Sequence, residues 1–340
     1  MTLKALLLGS AAAMIAVSGA RAADAVVAEP EAVEYVKVCD TYGSGFYYIP
    51  GTETCLSING YARVEYIYTS TNAGSTGAFV YRARVNFDAR NETDYGTLRS
   101  QIRIQGDGAG RSLTTDSGAD TWGNGDANAY IDRALISIGG LQFGYSDSFF
   151  TTNHGYGWQR AANDGYYSYD QAIMLQYTYA ANGFSATVGI QDSVGSTTLL
   201  GNGAENPDLY VGASYAASWG RVAASYIHDT FNDASAWKVS ADLNVIEGVG
   251  IHGWYAGNNG SRFATGYVGT ANDYEFGVDV SYQVSSDLNV WVGYTDADLA
   301  PSAFAVGAHW NPVPGLSVRP EAVFFDNDTN QYRLRVVRSF

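Results

Sequence analysis

Lysine is nearly missing from this chain: Lys4, Lys37 and Lys238 are the three in 340 residues, and Lys and Arg together number 19 against 34 Asp and Glu. The formal net charge of −15 excludes a nucleic-acid-binding protein, which needs a basic footprint. Histidine is scarce as well. His154, His228, His252 and His309 stand in no HEXXH motif and beside no Ser-centred Gly motif, so an outer-membrane hydrolase has no recognisable machinery. No metal, cofactor or enzymatic activity is predicted. Long apolar runs are absent outside the N-terminus, which excludes a polytopic helical membrane protein. TonB-dependent transport is excluded by length, since a chain this short cannot supply both 22 strands and a plug.

The one apolar run is an export signal. Lys4 supplies the positive start, Ala5–Val17 is a segment of signal-peptide length, and Ala20-Arg21-Ala22 fits a small-x-small cleavage site. The alternative, a membrane anchor, would need a longer segment. Residues 1–22 are therefore read as removed, and the loss of Lys4 and Arg21 with no acid makes the mature chain more acidic still. Cys39 and Cys55 close a loop containing Gly43, Gly45, Pro50 and Gly51. In an oxidising compartment such a pair reads as a disulfide, with a free-thiol pair as the alternative. Residues 23–56 are assigned to a periplasmic segment, and 57–340 to one further domain.

Beyond residue 56 the dominant signal is period-two alternation. In Phe79–Phe87 one parity is apolar throughout, and the other holds Arg82, Arg84 and Asn86. Leu98–Gln105, Phe184–Gln191 and Tyr274–Tyr282 repeat the split. Sixteen such runs, from 57–68 to 331–340, have the length of tilted membrane-spanning strands. Tight turns such as Gly139-Gly140 and Asn182-Gly183 separate them on one side; on the other lie longer connections at 106–127, 150–169, 193–207 and 258–272. This pattern predicts an all-β, transmembrane antiparallel β-barrel with short periplasmic turns and long external loops. A soluble β-sandwich also alternates, but its water-facing side would carry many Lys and Glu. Here the apolar face carries tyrosines near strand ends, including Tyr66, Tyr177, Tyr215 and Tyr282, where interfacial aromatic girdles belong.

The segment Cys39-Asp40-Thr41-Tyr42-Gly43, followed by Tyr48-Ile49-Pro50-Gly51-Thr52-Glu53-Thr54-Cys55 and Gly60-Tyr61, resembles the N-terminal signature of the alphaproteobacterial porins of the rhizobial and brucella type. The Arg338-Ser339-Phe340 ending is similar too. Its terminal aromatic, Phe340, resembles the signal read by the barrel assembly machinery. The likeness is dense over residues 1–64 and in the last strand, and looser between. It implies a sixteen-stranded outer-membrane barrel, a homotrimer amid lipopolysaccharide, and passive diffusion of small hydrophilic solutes.

On this reading the polar parity lines a water-filled lumen. Arg63, Arg82, Arg84, Arg99, Arg103, Arg133, Arg319, Arg333 and Arg335 then fall on the first four and last two strands, which closure makes neighbours. They are predicted to form one basic arc, or alternatively to be wall residues paired with Glu65, Asp88 or Glu321 and serving rigidity. The resemblance implies that the third external loop, roughly 150–169 after strand five, folds into the lumen, with Asp147, Asp164 and Asp170 as acids facing the arc across a narrow gap. The field between them would orient polar solutes. Asp107, Asp116, Asp120, Asp126, Glu205, Asp208 and Asp273 are placed in external loops, where an acidic mouth favours cations. Tyr156, Trp158, Tyr166, Tyr167 and Tyr169 raise a second possibility, a sugar-preferring channel with an aromatic constriction. A non-conducting adhesin is the third. The Asp/Gly-rich loop 106–127 lacks EF-hand spacing, so calcium has little support.

Overall fold

A computed structural model describes residues 37–109, 128–154, 171–193, 207–230, 233–260 and 273–340. Seventeen strands run through them: β1 (Phe46–Tyr48), β2 (Cys55–Thr71), β3 (Gly74–Asn91), β4 (Leu98–Ala109), β5 (Asn128–Ile138), β6 (Leu141–Asp147), β7 (Gln171–Ala181), β8 (Phe184–Ser193) and β9 (Asp208–Ala217). They continue as β10 (Gly220–Asp229), β11 (Ala234–Ile246), β12 (Val249–Asn258), β13 (Tyr274–Gln283), β14 (Leu288–Ala297), β15 (Ala303–Val313), β16 (Leu316–Phe325) and β17 (Asn330–Ser339). Each of β2 to β17 pairs antiparallel with its sequence neighbours, and β17 pairs with β2, so sixteen strands form a closed barrel. Closure leaves the wall without a free edge, the condition for strands to cross a bilayer.

Alternation decides which residues face which side. Along β2 and β3 the parity of Val64, Tyr66, Phe79 and Tyr81 is exposed on the outer surface, and Arg63, Glu65, Arg82 and Arg84 project inward. The same apolar belt continues through Ile173, Leu175, Val188, Val211, Val278 and Val292. Apolar surface turned outward is stable here because its solvent is hydrocarbon. Near the external ends the belt becomes aromatic. Trp237 stacks on Tyr255 at 5.4 Å, Tyr255 on Phe276 at 6.4 Å, and Tyr332 meets Tyr68 at 6.2 Å across the closing seam. Amphipathic rings are favoured at that depth.

The turns follow from local chemistry. Asn182 and Gly183 both adopt positive φ (52° and 80°), the conformation that a two-residue hairpin matched to strand twist demands. Three features depart from the alternation. First, β1 adds a seventeenth strand within the stretch assigned to the N-terminal segment, pairing Phe46–Tyr48 with Ser57–Cys55; β2 itself starts at Cys55, ahead of the expected boundary. Second, β6 stops at Asp147, because Ser148 caps a one-turn helix, α1 (Phe149–Thr152), by accepting from the Phe150 N–H at 3.2 Å. Third, a bulge in β5 pairs Arg103 with Arg133 but Ile104 with Ile131. The extra residue, Asp132, is turned to the lumenal side together with Arg133.

Candidate functional site: the charged lumenal walls

The inner face of β2, β3 and β17 is organised around one carboxylate. Glu65 is buried and takes Arg63 Nε at 2.7 Å, Arg333 Nη1 at 2.8 Å and Arg335 Nε at 3.1 Å. Closure makes this possible, since the register sets Arg335 opposite Glu65 on the neighbouring strand. Arg319 lies opposite Arg335 on β16 and donates to Ser317 Oγ at 3.0 Å. Arg82 pairs with Asp107. Arg84 Nε donates to Gln105 Oε1 at 2.7 Å and approaches Asp132 at 3.4 Å. Arg103 joins Asp132 at 3.0 Å and Asp147 at 3.3 Å, and Arg133 joins Asp147 at 2.8 Å. Toward the periplasmic end, Asp88 is shared by Arg99 (2.6 Å) and Arg90 (2.7 Å). Charge-assisted, often two-toothed bonds of this kind hold guanidinium planes in fixed orientations.

All nine arginines expected on the arc thus lie on these adjoining strands, and carboxylates are interleaved with them. Several expectations need correction. Asp107 is not an external-loop acid but a β4 wall residue, and Asp208 opens β9, buried, accepting from the Thr230 N–H at 3.0 Å. Asp147 does not face the arc across a gap; it is buried within it between Arg103 and Arg133. Asp273 is exposed in an external connection, where its N–H donates to Asp298 at 3.1 Å. Asp164, Asp170, Asp116, Asp120, Asp126, Glu205 and the aromatic residues 156–169 lie outside the described residues. Asp132 was missed because a bulge breaks the parity on which face assignment rests. Its one sequence signal is an acid standing on the apolar parity of Ala134 and Ile136.

The opposite wall, β9 to β13, has the other sign. Among the described residues, Asp208, Asp229, Asp242, Glu275 and Asp279 share its lumenal parity with two basic side chains besides histidine, Arg221 and Lys238. On the arginine side guanidinium groups outnumber carboxylates. Lys238 is fully buried, with Nζ 4.7 Å from the Phe150 ring centroid, and Glu275 lies across Ala256 from it in the strand register. His252 bonds to Asp242 through Nδ1.

Against this wall residues 148–154, the root of the β6–β7 connection, turn inward. Ser148 donates to Gln191 at 2.8 Å, and Phe149 stacks on Tyr210 at 5.4 Å. Asn153 Nδ2 donates to the Ala224 carbonyl at 3.0 Å and to Ser225 Oγ at 2.8 Å. The two ring nitrogens of His154 meet Ser240 Oγ at 2.8 Å and Ser225 Oγ at 2.9 Å, and Arg221 donates to the Asn153 carbonyl at 2.6 Å. Gly212 leaves the space Phe149 fills; a Cβ there would lie 2.6 Å from the ring. The root of the loop is therefore fixed inside the barrel by both packing and polar bonds.

At the N-terminal side Cys39 and Cys55 form a disulfide, with Cα atoms 6.0 Å apart. Both sulfur-bearing residues are buried with Phe46. Phe340 sits at the other strand end, exchanging backbone hydrogen bonds with Gly60 at 3.1 and 3.0 Å.

The chain, a closed sixteen-stranded barrel with an apolar exterior and charged lumenal walls, is similar to known proteins. The family model described as "Porin subfamily" matches residues 24–338. Porin Omp2b of Brucella suis biovar 1 is 33% identical over 95% of this chain and 92% of its own length; its counterpart in Brucella canis is 34% identical, with the same coverage. Among solved structures, the outer membrane channel DcaP of Acinetobacter baumannii superposes with a TM-score of 0.65 at 15% identity, covering 86% of this chain and 99% of that one. A triple-mutant porin of Rhodopseudomonas blastica gives 0.57 at 16% identity, covering 84% and 100%. The chain belongs to the porin family, and it is an outer-membrane β-barrel for passive diffusion.

Proposed function

We propose that small hydrophilic solutes and ions cross this barrel between two walls of opposite charge, and that this polarised lumen selects among them. The observation that carries the reading is the contrast between the Glu65-centred arginine wall and the carboxylate-rich wall of β9 to β13. Water and polar solutes entering such a field align their dipoles, whereas apolar molecules have to displace oriented water. The carboxylates opposing the arginines belong mainly to the barrel wall on this reading, with Asp164 and Asp170 of the third loop as additional contributors. A mild cation preference is supported by acids in the external connections, among them Asp273, Asp298 and Asp328.

The N-terminal segment 1–22 is proposed to be removed on export. The working unit is proposed to be a homotrimer among lipopolysaccharide, inserted by the barrel assembly machinery through the strand that ends at Phe340. Single-channel recording in planar bilayers with a salt gradient tests the reading. Stepwise currents linear in voltage, grouped in threes, with a small cation-directed reversal potential are expected. Barrel-folded protein that carries no current, or that discriminates no ions, would overturn it.

A further inference from the structure

From Val38 onward the chain before β2 is held against the barrel. Residues 38–48 double back on the start of β2, with Val38 bridged to Tyr47 and the Cys39 N–H bonded to the Phe46 carbonyl at 2.9 Å. β1 takes the edge of β2 just where β17 has ended, since β17 covers Tyr61–Ser70 and β1 covers Cys55–Ser57. The register sets Phe46 opposite Ser57, which shares the lumenal parity of Arg63 and Glu65. Phe46 therefore faces inward. Its ring centroid lies 4.8 Å from the Arg90 guanidinium, and that of Tyr42 lies 5.6 Å from it. Tyr42 also donates to Glu92 at 2.8 Å, the carboxylate that Thr97 of the β3–β4 turn uses as well. The segment thus bends over the lumenal side of the periplasmic rim and ends on the lowest members of the arginine wall.

We propose that residues 38–55 are a fixed sill in the periplasmic mouth, narrowing it and holding the Arg90–Asp88–Arg99 cluster at its edge. The inference rests on the reading of the barrel as an open diffusion channel. Three features keep the sill in place: the disulfide to the first residue of β2, the added strand, and the two aromatic rings on Arg90, contacts that are strongest where water is partly excluded. Solutes leaving the charged throat would pass this second element before reaching the periplasm.

The test is unit conductance and reversal potential of the full-length protein purified from outer membranes, compared with three variants. Cys39→Ser with Cys55→Ser releases the staple, and Phe46→Ala removes the inward ring while keeping the disulfide. Both are expected to raise the unit conductance. Arg90→Gln is expected to shift the reversal potential toward cations, because Asp88 then keeps only Arg99. Should the cysteine pair prove necessary for folding, Phe46→Ala decides alone. Wild-type conductance and reversal potential in the variants, with only thermal stability lowered, would overturn the sill and leave the segment a clamp on the barrel seam. A wild-type protein without current would overturn the channel reading together with this one.

Discussion

Gly60 and Phe340 meet at the barrel seam. Each donates its backbone N–H to the other's carbonyl, at 3.1 and 3.0 Å, and the Phe340 ring lies over the space where Gly60 has no side chain. A Cβ at Gly60 would stand 2.9 Å from Phe340 Cζ and 2.2 Å from the Arg84 carbonyl oxygen. The last residue of the chain thus docks beside one of the first residues of the barrel, at a position that tolerates only glycine.

Gly60→Val is accordingly expected to destabilise the closed barrel by about 1–3 kcal/mol through overpacking. The measurement is the temperature at which the folded band converts to the slower unfolded band in detergent electrophoresis. A variant as heat-resistant as the wild type would contradict the seam geometry.

Glu65→Gln removes the carboxylate that Arg63, Arg333 and Arg335 share. Breaking a buried charge cluster from one side leaves its partners uncompensated, a cost of roughly 3–5 kcal/mol. Lower heat resistance is expected, with a reversal potential displaced toward anions as the wall gains net positive charge. An unshifted reversal potential would place Glu65 outside the permeation field.

His154→Ala deletes both ring bonds at the loop root, to Ser225 and Ser240, each worth about 1 kcal/mol net. The barrel is expected to stay intact while open-channel current becomes noisier, because the root of the β6–β7 connection loses its fixed point. Asn153→Ala should act in the same direction. Quiet currents from both variants would show that packing of Phe149 and Phe150 suffices.

Asp287 in the periplasmic β13–β14 turn accepts from Ser285 Oγ at 2.7 Å and from Trp310 Nε1 at 3.1 Å. These bonds hold its carboxyl below the usual range. A folded-state value that is depressed contributes stability above the unfolded value and loses it as pH falls through the folded one. The difference in heat resistance between wild type and Asp287→Asn is therefore expected at neutral pH and should vanish under strong acid. A difference that persists there would assign the effect to shape instead of charge.

Much of this was open to reading from the chain itself. Period-two alternation put Val64 and Phe79 on one face and Arg63 and Arg82 on the other, because each strand's geometry is local and repeats every two residues. The last strand, expected at 331–340, runs over Asn330–Ser339. The aromatic strand ends were equally legible. Asp132 was not, because a bulge erased the signal, and Asp147, though singled out, was set on the wrong side of the lumen because a capped helical turn follows it.

Composition and alternation by themselves thus determined a barrel, its lipid-facing surface and many of the polar side chains inside it. Only the tertiary structure decided which of those side chains touch. Glu65 meets Arg333 and Arg335 across 268 and 270 residues of sequence, a contact that exists only once β17 closes on β2. The same closure sets the carboxylates of β9 to β13 opposite the arginines and leaves the short stretch of β2 edge that β1 occupies. Strand polarity is written residue by residue; the field across the lumen is a property of the closed ring.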